Sequence, residues 1–163
     1  MQQSSTDETV LKTFVDQMIE AWNHGDAAGF AAPFAEDADF IAFEGTHLRG
    51  RAAIIGFHQP LFDTALKGTR LEGSVKFVRF VTPHLAVLHA WGTTTLKGQT
   101  NASSSRDSMQ LFVFTKHADA WQCDALLNAR RITLGQQAFA DDVATLSEGA
   151  QRDLVHQVAA MRH

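Results

Sequence analysis

Hydrophobic spacing changes at Gly68 of this 163-residue chain, and that change limits the folds open to it. Before Gly68 apolar residues recur at helical intervals; beyond it they alternate with a period of two. Val10, Leu11, Phe14, Val15, Met18, Ile19 and Trp22 make a helical stripe, with Ser5 and Glu8 at capping-box spacing ahead of it. Asn23-His24-Gly25-Asp26 then supplies a stop and a new start, predicting a short second helix over 27–34 that Pro33 tightens. Residues 39–44 alternate around Phe40 and Ala42, and 45–50 read as a turn with a short return strand. A third helix is expected over 51–66, carrying Ile54, Phe57, His58, Leu61, Phe62 and Ala65, with a kink at Pro60.

After the change, 71–81, 85–95, 106–117 and 120–132 read as four long strands joined by hairpins, with the polar segment 97–105 as a loop between the middle pair. Helices segregated ahead of strands specify an α+β domain, a curved antiparallel sheet wrapped on the N-terminal helices in a conical half-barrel. Beyond Gly135 helical spacing returns at Phe139, Val143 and Leu146, and again at Leu154, Val158 and Met161. The expected organisation is a pocket domain over 1–134 and a helical C-terminal extension over 135–163 packed on it.

Charge and motifs remove several functions. The net charge is -4, and the Lys and Arg are scattered, so no nucleic-acid partner is expected. No apolar run approaches a bilayer span, and the start MQQSSTDETV lacks a basic, apolar leader. Together with the single Cys123 this gives a cytoplasmic expectation and no membrane partner. The His residues lack a paired HExxH arrangement, and no phosphate loop, GxGxxG or GxSxG is present, so neither metal nor cofactor is expected.

Twelve Phe and three Trp but no Tyr supply ring surface without phenols. A turn at Ala118-Asp119 pairs Lys116 with Trp121, which sets Phe114 beside Cys123, Phe112 beside Ala125 and Gln110 beside Leu127 on one face. The other face then carries Val113 with Asp124, Leu111 with Leu126, Met109 with Asn128 and Asp107 with Arg130. A register slip of one residue would exchange the two. With the ring-rich face inward, Phe112, Phe114 and Trp121 form either a pocket wall or plain core, and Gln110 is the polar group that can orient a ligand. The face occupied by His89 and Trp91 stays open.

The runs AWNHGDAAGFAAPFAEDADF and LRGRAAI, then Trp121 to Asn128, resemble the nuclear-transport-factor-like superfamily, which includes SnoaL-like polyketide cyclases and ketosteroid isomerases. The resemblance covers residues 8–132 and is closest to the SgcJ/EcaC-type branch, mostly small dimeric pocket proteins of unsettled activity. It implies a cystatin-like half-barrel, a ring-lined interior and a homodimer through the outer sheet face. Carried over residue by residue, it puts Ala42 where the isomerases hold their proton-shuttling aspartate and Met18 where they hold an oxyanion-stabilising tyrosine. Phe34 and His58 fall where supporting tyrosines would stand. A methyl group accepts no proton, so isomerisation by that route is not expected.

Glu44, two residues beyond Ala42, and His58 are the substitute acid–base candidates. The candidate ligand-binding set is Met18, Trp22, Phe34, Ala42, Phe57, Trp91, Gln110, Phe112, Phe114 and Leu127. Three functions follow as expectations: a pocket protein binding an apolar or partly aromatic small molecule; a cofactor-independent cyclase or isomerase acting on a polyketide-like substrate; or a dimeric association module.

Overall fold

The computed structural model describes residues 2–131; the helical extension expected over 135–163 lies outside the described residues. Helix α1 (Gln2–His24) is already running at Gln2, so Ser5 and Glu8 lie inside it rather than capping it. There Glu8 pairs with Lys12 one turn on, at 2.6 Å, and the face Leu11, Val15, Met18 and Ala21 is buried. Gly25, at φ +69°, ends the helix, and the Asp26 carboxylate accepts from Gly29 N at 2.9 Å to cap α2 (Ala27–Ala31).

Helix α2 stops at Ala31 instead of reaching Phe34, because strand pairing claims the chain first. The Pro33 carbonyl accepts from Cys123 N at 2.9 Å, and Phe34 opens β1 (Phe34–Ile41). A turn closed by Ala42 N to Thr46 O at 2.8 Å leads into β2 (His47–Arg49). Gly50 then adopts φ +86° and ψ 152°, and a Cβ there would stand 2.8 Å from the Glu36 carbonyl. Only glycine suits that corner. Helix α3 (Arg51–Asp63) follows, shorter than expected, with Pro60 in its last turn.

The remaining strands are β3 (Arg70–Thr82), β4 (Leu85–Thr95), β5 (Ser108–His117) and β6 (Ala120–Arg130). The segment before β5 is not all loop: Ser104–Arg106 forms one 3-10 turn. The open sheet runs β2-β1-β6-β5-β4-β3. Successive strands from β3 to β6 form the expected antiparallel hairpins, whereas β1 lies parallel to β6. Ala118 and Asp119, both at positive φ, make the last tight turn.

Lys116 does face Trp121 and Phe114 faces Cys123, but the register then slips: Val113 faces Ala125, leaving Asp124 as an extra residue. The Asp124 carboxylate accepts from Thr115 Oγ1 at 2.7 Å, which holds the bulge. Beyond it every residue of β6 changes face relative to the expectation. Phe112 meets Leu126, Gln110 meets Asn128 and Leu111 meets Leu127.

The helices cover the inner sheet face. Leu11, Phe34, Ile54, Leu88 and Phe114 are fully buried between them, each such side chain contributing about 1.5–3 kcal/mol. On the outer face Phe77, Met109, Leu111 and Leu127 stay exposed.

Candidate functional site

The helices and strands leave a cavity of about 390 Å³ between them. Met18 and Trp22 of α1, Phe57 and His58 of α3, Ala42 after β1, and Gln110 and Phe112 of β5 all border it. Most of the wall is apolar, and its centre is a cluster of rings. His58 lies 4.7 Å from Phe30, 5.2 Å from Phe40 and 5.2 Å from Phe57, centroid to centroid, with Trp22 at 6.4 Å. Trp22 is held from behind, its Nε1 donating to Thr69 Oγ1 at 3.1 Å.

His58 is 4% exposed. Its Nδ1 lies 2.8 Å from the Ile54 carbonyl, which only accepts, so Nδ1 carries the proton and Nε2 holds a lone pair. Nε2 has no hydrogen-bond partner among the described residues. Burial holds the ring below the ordinary imidazole range, countered only partly by the Ile54 carbonyl and by the charge of Glu44. The site therefore presents a neutral imidazole, a base or acceptor rather than a cation.

This has a measurable consequence for stability. Below the ordinary value of 6.5 the unfolded chain takes up a proton that the native ring refuses, so stability falls as pH drops toward the lower native pKa. The expected slope is up to about 1.4 kcal/mol per pH unit. Urea unfolding from about pH 7 to about pH 5 should show the slope in the native chain and lose it in His58→Phe. An equal slope in both would assign the effect to other groups.

Glu44 borders the cavity but is exposed, in the turn after β1 rather than on the strand, so alternation does not aim it inward. Its charge acts on His58 without a hydrogen bond between them. Three members of the ligand-binding set stand elsewhere. Phe34 and Phe114 are fully buried but border no part of the cavity; they pack below it, Phe34 5.6 Å from Phe40 and Phe114 stacked 5.8 Å from Phe112. Trp121 also belongs to that packing.

Leu127 is 48% exposed on the outer face, turned there by the bulge at Asp124. Trp91 borders the cavity while its own ring lies outward, between Lys76 Nζ at 4.3 Å and the Arg131 guanidinium at 4.4 Å. His89 shares that face, stacked 5.3 Å from Phe77.

The same bulge brings in a group expected outside. Asn128 borders the cavity beside Gln110, and Ser108 completes a polar chain along that wall. Ser108 Oγ donates to the Gly92 carbonyl at 3.2 Å, and Gln110 Nε2 donates to Ser108 Oγ at 2.7 Å and to Asn128 Oδ1 at 2.9 Å. Arg106 also reaches the cavity, from the 3-10 turn. Among the described residues no three His, Cys, Asp or Glu gather as metal ligands, and no helix is long and apolar enough to cross a membrane.

Comparison with known proteins places this architecture. No curated protein matches the chain. The crystal structure of a domain of unknown function with a cystatin-like fold from Nostoc punctiforme is 53% identical, superposing with a TM-score of 0.82 over 96% of this chain and 97% of that one. A ketosteroid isomerase-like protein from Erwinia carotovora is 16% identical, with a TM-score of 0.60 over 77% of this chain and 96% of that one. An NTF-2-like protein of unknown function from Shewanella oneidensis is 16% identical, with a TM-score of 0.61 over 77% and 98%. At such identity the last two share the fold alone. The family model of the SnoaL-like domain matches residues 15–122, the span that carries both helical walls of the cavity and most of its sheet, and the chain therefore belongs to the SnoaL-like family.

Proposed function

We propose that this protein binds an apolar or partly aromatic small molecule in the ring-lined cavity and acts as a homodimer. The observation that carries the reading is the hollow itself: about 390 Å³ walled mainly by apolar side chains, with a few polar groups, the usual form of a ligand pocket. Family membership supports a ligand-binding or isomerase role at that level. A cyclase or isomerase acting on a polyketide-like substrate is the second reading, favoured by the neutral His58 with its unpartnered Nε2. The second copy is expected on the outer sheet face, where Phe77, His89, Leu111 and Leu127 form one row across the strands. A cytoplasmic location is proposed on the single cysteine of the sequence, Cys123, which leaves no intrachain disulfide to form.

One experiment with two arms tests this. Saturating an aromatic probe of naphthalene size at about a hundred times its Kd should stabilise the protein by about 2.7 kcal/mol, and Phe112→Ala should weaken the affinity at least about tenfold. Sedimentation should give a dimer that Leu111→Glu converts to monomer without unfolding it. Absence of any stabilisation by such probes would reject the pocket; a native monomer would reject the dimer.

A further inference from the structure

Ser108 gives the polar chain on the cavity wall a direction. Its hydroxyl hydrogen goes to the Gly92 carbonyl, so its oxygen faces Gln110 as an acceptor, and the Gln110 atom beside it must be the amide nitrogen. That nitrogen's other hydrogen meets Asn128 Oδ1. Two groups are left over: Gln110 Oε1, which only accepts, and Asn128 Nδ2, which only donates. Among the described residues the buried polar side-chain atoms lacking a partner are Thr93 Oγ1 and Trp121 Nε1. Gln110 Oε1 and Asn128 Nδ2, also without protein partners, therefore reach open space on side chains that border the cavity.

Resting on the pocket reading above, we infer that the cavity selects an uncharged ring compound bearing one hydrogen-bond donor and one separate acceptor, the donor meeting Gln110 Oε1 and the acceptor Asn128 Nδ2. Ser108 is the positioning residue: it touches no ligand in this scheme but decides which end of the Gln110 amide faces in. A carboxylate suits this wall poorly, because it offers acceptors only, meets Gln110 Oε1 with like polarity and must shed water against apolar side chains. Glu44 and Glu72 border the cavity and would repel a carboxylate, while Arg106, which also borders it, is the cation whose contribution the naphthoate arm of the test isolates.

A nearly isosteric series separates the terms: naphthalene, naphthol, quinoline, and hydroxyquinolines whose two groups stand too far apart to bond each other, with naphthoate as the anion. Affinities for the full chain are measured by competition calorimetry. Naphthol and quinoline should each bind about tenfold tighter than naphthalene and hydroxyquinoline about a hundredfold tighter. Asn128→Asp, which still accepts from Gln110, should abolish the quinoline gain and keep the naphthol gain. Ser108→Ala frees the Gln110 amide to turn and should shrink both gains to within about threefold.

Equal binding of the four neutral probes would overturn the inference while leaving the pocket reading intact. Tightest binding by naphthoate, lost in Arg106→Gln, would overturn it in favour of an anion site. Failure of every probe, naphthalene included, would remove the pocket reading with it.

Discussion

Lys116→Met is expected to cost about 3–5 kcal/mol of stability, measured as the loss of unfolding free energy in urea. Lys116 Nζ reaches both carboxylate oxygens of Asp7, at 3.1 and 3.2 Å, with the two side chains only 8% and 10% exposed. The pair ties the first turns of α1 to β5. Removing the ammonium takes a cation away from a carboxylate that is only 10% exposed, so the penalty exceeds that of a lost surface contact. Lys116→Arg keeps the charge and should lose less. The exposed pair of His47 and Asp39, at 2.7 Å but about half open to water, provides the contrast: breaking it should cost at most about 1 kcal/mol. A similarly small loss at Lys116 would show that water reaches the pair.

Phe34→Ala is the other large change, again about 3–5 kcal/mol, yet it should weaken the affinity of the folded protein for ring probes less than Phe112→Ala does. Phe34 has no exposed surface and packs on Phe30 and Phe40, and its carbonyl accepts from the Arg51 guanidinium. It supports the wall that holds the ligand without forming part of it. Phe112→Ala tests the opposite position, where a ring borders the cavity and its loss is felt in binding. If Phe34→Ala weakened binding as strongly as Phe112→Ala, the two layers would not be separable.

The division between these layers marks how far the residues alone could be read. The change of period at Gly68 announces helices before strands, and the apolar stripe of α1 and the rings of β5 point to the interior they occupy. Alternation states which side of a strand a residue faces but not how deep it lies, so Phe114 reads as pocket wall, and the family resemblance puts Phe34 there as well, although both sit beneath it. The run Trp121-Gln122-Cys123-Asp124-Ala125 contains neither Gly nor Pro to mark a bulge. Its extra residue is set by a cross-strand bond from Thr115, a tertiary contact invisible in local pattern.

One inserted residue therefore sends Leu127 outward and brings Asn128 in, and the polar chain with Gln110 appears only once the strands are paired. The parallel partnership of β1 and β6 is hidden for the same reason, since hairpin reasoning connects neighbours only. His58 and Ala42, by contrast, border the cavity where the family resemblance put them, because that part of the wall follows from helix and turn positions without passing the bulge.

That parallel partnership also governs how the chain is made. Strand β1 is made long before β6, the last strand of the sheet and its parallel neighbour, so the two have no template for each other until β6 has been made. Throughout that interval the rings of Trp22, Phe30, Phe40 and Phe57 lack the floor that β5 and β6 provide. Non-local closure of this kind slows folding and lengthens the time in which nascent chains can stick together, which makes the emergence of the final hairpin the step at which a growing polypeptide becomes safe from its neighbours.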